Sequence, residues 1–143
     1  MSLKLPGGIV EEIRRQGEAA YPAECCGVLG GRVGGANGKE VVSAIPALNR
    51  RNDDPHRYLI SPDDLRRVEA QLRAAQLEIV GYYHSHPDHP AVPSAFDAEH
   101  AWPWYSYVIV RVDHGRAAEL ASWVLDDEGR LMHSESHEVL SEV

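Results

Sequence analysis

Cysteine is nearly absent from the chain: there are two among 143 residues, Cys25 and Cys26, and they are neighbours. Adjacent cysteines almost never bridge each other, so no disulfide framework holds this fold. Long apolar runs are missing too. None approaches the roughly 20 residues that a membrane helix needs. The opening M-S-L-K-L-P-G-G has no hydrophobic stretch of signal-peptide length, which points to the cytoplasm. Positive charge is scarce, with 14 Lys and Arg against 22 Asp and Glu and a formal charge of −8. No basic cluster goes beyond adjacent pairs such as Arg50-Arg51 and Arg66-Arg67. Such a surface repels phosphate backbones, so neither nucleic acid nor a membrane is an expected partner. Internal repeats, linkers and low-complexity segments are also missing.

What remains is ordinary for a globular protein: 43% apolar and 25% charged residues. A length of 143 residues suits one domain, spanning 1–143, with a core that needs no staples. Leu5, Ile9, Val10 and Ile13 recur at helical spacing, predicting an amphipathic helix from Pro6 to Ala20 that Tyr21-Pro22 ends. The run Ala23 to Gly31 reads as a strand with Glu24 at its entrance, and Arg32 to Lys39 as a Gly-rich turn. Glu40 to Leu48 is β-branched enough to be the returning strand. A polar loop, Asn49 to Pro55, precedes a further strand at His56 to Ile60. Ser61-Pro62-Asp63-Asp64 is a helix start, with a capping Ser, Pro at the first helical position and acidic residues facing the positive end of the dipole. Leu65, Val68, Leu72 and Ala75 give that helix one apolar face. Strands follow at Leu77 to His84 and Tyr105 to Val112, then a hairpin of Leu120 to Leu125 with Arg130 to His133. The whole predicts one α/β domain, a mixed β-sheet flanked by helices.

Chemistry concentrates between Val80 and Asp97. Residues i and i+2 of a strand share a face, so His84 and His86 project together from the end of an apolar strand. Pro87, Pro90 and Pro93 break regular structure, and Ser94-Ala95-Phe96-Asp97 has the Ser-x-x-Asp form of a helix start that turns a carboxylate back toward the rings. Two imidazoles and a carboxylate with one position left for water form the ligand set of a catalytic zinc site, one Zn2+ per chain. Amide hydrolysis near neutral pH needs an activated water and a carrier for the carbonyl charge; zinc meets both needs. A carboxylate must then move the water's proton to the leaving amine, and Glu24 is the candidate. Ser94, at the helix start, is placed to stabilise an oxyanion. The remaining histidines, His56, His89, His100, His114, His133 and His137, read as surface or core residues.

His84-Ser85-His86-Pro87, Pro93-Ser94-Ala95-Phe96-Asp97 and the upstream Glu24-Cys25-Cys26-Gly27-Val28-Leu29-Gly30 together resemble the signature of the JAMM (MPN+, Mov34/PAD-1) metalloproteases. Tyr58 to Asp64 and Trp102-Pro103 with Tyr105 to Val110 are similar to the small stand-alone prokaryotic members. The resemblance implies a cytidine-deaminase-like α/β arrangement. It implies zinc on His84, His86 and Asp97, Glu24 as acid/base and Ser94 beside the oxyanion. It further implies a peptide or isopeptide bond at the C-terminus of a ubiquitin-like or sulfur-carrier protein as substrate. Two other readings compete. His84-Ser85-His86-Pro87-Asp88-His89 also fits the His-x-His-x-Asp-His pattern of the metallo-β-lactamase superfamily, in which Asp88 and His89 would bind a second metal. The chain could instead be a non-catalytic scaffold of the same family, though such members typically lack the ligands present here. Cys25 and Cys26 face opposite ways in a strand and read as packing. Trp102, Trp104 and Tyr105 follow the site and read as packing or as the wall of a groove.

Overall fold

Alternation along the strands decides which of two apolar layers each side chain joins. A computed structural model describes residues 2–34, 38–48, 60–129 and 131–141. In chain order its elements are β1 (Ser2–Pro6), α1 (Gly7–Ala20), β2 (Cys26–Gly34), β3 (Gly38–Ala47) and α2 (Pro62–Ala74). They continue as β4 (Glu78–Pro87), α3 (Ala95–His100), β5 (Ser106–Asp113), β6 (Arg116–Leu125) and β7 (Met132–Leu140). Leu29 of β2, Val80 and Tyr83 of β4, and Val108, Val110 and Val112 of β5 pack with Ile13 of α1. Val28 of β2 instead packs with Val68 and Leu72 of α2, against which Ile79 and Tyr82 of β4 also lie. Helices thus cover both faces of these strands. The expectation of a mixed α/β sheet with flanking helices agrees with this layering.

The strands run in the order β1-β3-β2-β4-β5-β6-β7, and the sheet closes on itself because β1 pairs in parallel with both β3 and β7. β4 and β5 are parallel, while β2–β3, β2–β4, β5–β6 and β6–β7 are antiparallel. Gly81 lets β4 approach β5 closely, since a Cβ there would sit 2.1 Å from the Ser106 carbonyl oxygen.

Three sequence-based expectations need correction. Leu5 belongs to β1 and not to the first helix: Leu3 and Leu5 both point inward with no exposure, so their period is that of a strand. The last hairpin is longer than predicted, because β7 runs on to Leu140 by pairing with β1 as well as β6. The first strand begins at Cys26 and leaves Glu24 just outside it. The predicted loop at Asn49 to Pro55 and the strand residues His56 to Leu59 lie outside the described residues.

Closure buries an ion pair that the sequence gives no sign of. Lys39 of β3 and Glu135 of β7 are 1% and 6% exposed, with Nζ and Oε2 3.8 Å apart. Lys39 also donates to Ser106 Oγ at 3.0 Å and to the Trp104 carbonyl, and lies 4.6 Å from the Trp104 ring centre. Glu135 Oε1 accepts from Ser106 Oγ at 2.7 Å and Ser122 Oγ at 2.8 Å. One network therefore joins four strands across the closure. Burial pushes the Lys39 amine below its usual range, and Glu135 works against that shift. Removing one partner leaves the other charge buried alone. Lys39→Ala or Glu135→Ala is expected to lower stability by about 3–5 kcal/mol, whereas Lys39→Met with Glu135→Leu costs far less; urea unfolding of the four proteins measures both effects.

Candidate metal centre

β4 delivers the first two groups. Tyr82, His84 and His86 alternate with Tyr83 and Ser85 and so look toward α2 and α3, while Tyr83 looks toward α1. The polypeptide then turns at Asp88, whose φ of 58° is left-handed. That turn is pinned: Asp88 Oδ2 accepts from the Tyr21 hydroxyl at 2.6 Å, Asp88 Oδ1 from the His114 backbone N–H at 2.7 Å, and the Asp88 N–H donates to the Val112 carbonyl at 2.8 Å. His89 stacks on His86 with ring centres 4.1 Å apart, and its Nδ1 bonds the Pro87 carbonyl at 2.8 Å.

α3 brings the third group. Ser94 Oγ accepts from the Asp97 N–H at 3.0 Å and Asp97 Oδ2 accepts from the Ser94 N–H at 2.9 Å, a reciprocal capping box. The cap fixes the carboxylate at the pocket. Accepting a bond leaves the Ser94 hydroxyl its own proton to donate. The capping role and a catalytic role are therefore compatible.

His84 Nε2 lies 3.1 Å from His86 Nε2 and 3.2 Å from Asp97 Oδ2, and His86 Nε2 lies 3.0 Å from that same oxygen. Both rings are 1% exposed. His86 Nδ1 sits 2.7 Å from the Pro90 carbonyl, which can only accept, so Nδ1 carries a hydrogen and Nε2 is the ring nitrogen turned to the site. Burial pushes the His84 imidazole below its usual range despite Asp97, which keeps it neutral. Burial alone would raise the Asp97 carboxyl, but His84, His86 and the Ser94 N–H outweigh it and hold the group well below the usual carboxylate range. An ionised carboxylate and two neutral rings are the forms that ligate metal. A triangle of such sides has a point about 2.0–2.1 Å from every corner, the zinc–nitrogen and zinc–oxygen distance. The residues thus fit a divalent cation, and among the described residues they form the one group of three or more such side chains able to hold one. Asp88 is committed to the Tyr21 and His114 tether, and the two-metal pattern of the metallo-β-lactamases finds no second cluster among the described residues.

The β2–β4 register runs from the histidines toward Glu24. Cys26 pairs with His84, and the ladder runs on past the end of β2: the Ser85 N–H donates to the Cys25 carbonyl at 3.2 Å and the Cys25 N–H to Ser85 Oγ at 2.9 Å. One further step of that register, beyond the paired residues, would set Glu24 opposite His86. Cys25 packs into the α1 layer, and its neighbour Cys26, which opens β2, pairs with His84. Glu24 is 3% exposed. Burial raises the Cys25 thiol to about 11 and the Cys26 thiol to about 12, leaving neither a nucleophile near neutral pH. Trp104 packs against the core, while Trp102 is 68% exposed beside the site, so only the latter remains as a groove wall.

Residues 6–126 match the model of the prokaryotic homologs of the JAB domain. The chain is 36% identical over 115 residues to a desampylase of Haloferax volcanii, covering 79% of each. It is 34% identical to a probable TtuB-protein conjugate cleaving protease of Thermus thermophilus, covering 80% of this chain and 74% of that one. A solved structure of a protein from Desulfitobacterium hafniense superposes with a TM-score of 0.84 at 27% identity, covering 100% of this chain and 95% of that one. The chain therefore belongs to the prokaryotic homologs of the JAB domain, a family of small stand-alone JAMM-type proteins.

Proposed function

We propose that the chain, residues 1–143 acting as one catalytic domain of deaminase-like α/β arrangement, is a zinc-dependent peptidase. It would hydrolyse a peptide or isopeptide bond at the C-terminus of a ubiquitin-like or sulfur-carrier protein in the cytoplasm. The observation that carries the reading is the convergence of His84 Nε2, His86 Nε2 and Asp97 Oδ2 within 3.2 Å of one another. The substrate class is supported by the two relatives, one a desampylase and the other a probable TtuB-conjugate cleaving protease.

When bound, zinc supplies a water of pKa about 7 and polarises the substrate carbonyl. Glu24 takes the proton from the attacking water and gives it to the departing amine, so that one carboxylate serves as base and then as acid. The Ser94 hydroxyl donates to the carbonyl oxygen as negative charge builds there, while its oxygen continues to cap α3. Pro90 holds the His86 ring in its ligating tautomer, and the capping box fixes the direction of Asp97.

Glu24→Gln, zinc retained, is expected to lose about 10²–10⁴-fold in kcat on a carrier protein extended at its C-terminus. Mass spectrometry of the carrier with and without chelator reads this; unchanged cleavage by the variant overturns the mechanism. Zinc content separates the ligands: one equivalent in the parent and in Asp88→Ala, and loss in Asp97→Ala. Two equivalents in the parent, or loss in Asp88→Ala alone, would return the metallo-β-lactamase reading. The pH dependence has a definite sign. A His84 ring lowered by burial stays neutral at pH values where an exposed imidazole, near 6.5, is already half protonated. Zinc is expected to stay bound as pH falls through about 6.5 and to leave only at more acid pH, as equilibrium dialysis measures.

A further inference from the structure

Two apolar depressions flank α3, the helix that carries Asp97. In a helix of 3.6 residues per turn, Phe96, Asp97 and His100 share one side, and Ala95 and Ala98 the other. The first three line a cavity of about 230 Å³ completed by Tyr82, Trp102 and Tyr107. That space corresponds to about eight waters at roughly 30 Å³ each. The second depression, about 260 Å³, includes Ser94 and Ala98 and is framed by Val92, Trp123 and Leu131. The metal-ligand helix is thus the ridge between them.

Both carry apolar groups that a folded monomer gains nothing by displaying. Trp102 is 68% exposed, Val92 52% and Leu131 63%. Trp102 is also rigidly mounted. Its backbone N–H donates to the Tyr107 hydroxyl at 2.8 Å, and Tyr107, 6% exposed, stacks on Tyr82 with ring centres 5.6 Å apart. On the other side, Trp123 Nε1–H donates to the Ala91 carbonyl at 3.0 Å and pins the loop beneath Val92. Exposed apolar side chains on fixed backbone are preorganised contacts, and an indole is the side chain most often found at the energetic centre of an interface.

We infer, on the hydrolytic reading above, that the occupant is one extended polypeptide that crosses α3 with an apolar side chain on each side of the scissile bond. One side chain enters the cavity under Trp102. The other lies on the patch of Val92 and Leu131. Continuity fixes this choice: Asp97 belongs to the first depression and Ser94 to the second, so a chain whose carbonyl sits at the centre between them meets both. A lone amino acid as leaving group would leave one depression unused. The enzyme therefore selects on both sides of the bond, with a peptide or protein as the leaving group.

The test uses zinc-loaded Glu24→Gln and blocked nonapeptides of Gly and Ser bearing a single Leu on the acyl side, on the leaving side, on both or on neither. Binding is followed by NMR at the indole N–H signals of Trp102 and Trp123. Each Leu is expected to tighten binding about tenfold, what burial of part of a leucine side chain yields. One Leu position should shift Trp102 and the other Trp123. Trp102→Ala should remove one tenfold step and Leu131→Ser the other; both side chains are mostly exposed, so folding is spared. Affinity independent of Leu, or shifts away from both indoles, overturns the inference. The two readings fail separately. Peptides that bind across α3 while the parent cleaves no carrier uphold the docking and sink the hydrolase. Cleavage with KM unchanged in both variants upholds the hydrolase and sinks the docking.

Discussion

Three electron-pair donors do not gather within 3.2 Å of one another, away from water, without something to hold them there. His84 Nε2, His86 Nε2 and Asp97 Oδ2 do so here, and with Nδ1 of His86 already protonated toward Pro90, lone pairs face one another. A cation between them turns that mutual repulsion into attraction. Without one, a shared proton does part of the same work. Much of the local structure can be understood as the means of imposing this convergence. The pairing of β4 with β5 stiffens the strand that carries both rings. Asp88, tied to Tyr21 and His114, fixes the turn that follows, and the capping box sets the carboxylate. Asp88 is a useful case, since a residue that matched a metal-ligand pattern serves as a tether between α1, the turn and the β5–β6 connection.

What could be read from the sequence was local. His84 and His86 are two apart on an apolar strand, and Ser94 and Asp97 are three apart at a helix start; both spacings carry their geometry with them. The helix after Ser61 was equally legible, and its hydroxyl does cap the Asp64 N–H at 3.1 Å. What could not be read depends on partners far along the chain. β7 is mostly polar, with Glu135 its only buried position, and no alternation marks it as a strand. It forms because β6 and β1 supply its hydrogen bonds. Lys39 looks like a surface lysine until Glu135 and Ser106 are brought beside it. β1 left a trace that was missed: Leu3, Lys4 and Leu5 alternate, and Pro6 ends the pattern where the helix begins. Glu24 is intermediate. Its candidacy comes from the motif, whereas the β2–β4 register next to it, which ends at Cys26 and His84, is not contained in a single sequence.

A scaffold would have no need of so constrained a pocket. Two buried imidazoles and a carboxylate gathered within 3.2 Å are costly to hold together, and a protein that only bound partners would gain nothing by bearing that cost. The thiols argue in the same direction by their silence. Cys25 and Cys26 sit next to Glu24, yet burial keeps both protonated, so neither thiol is a nucleophile here.

Rigidity of the site also constrains the kind of substrate it can use. The sheet is closed, both faces of β4 are covered, and the turn after His86 is tied at three points. Little entropy remains for the enzyme to lose when it binds. An extended, mobile tail has much to lose, on the order of 1–2 kcal/mol for each backbone residue it fixes. Small residues beside the bond proposed to be cleaved would offer almost no apolar area to offset that loss. The compensation must come from residues a little farther out. Trp102 on one side of α3 and Leu131 on the other are fixed, exposed and apolar, which places the favourable contacts where a flexible chain needs them while the atoms beside the metal centre remain free for the reaction.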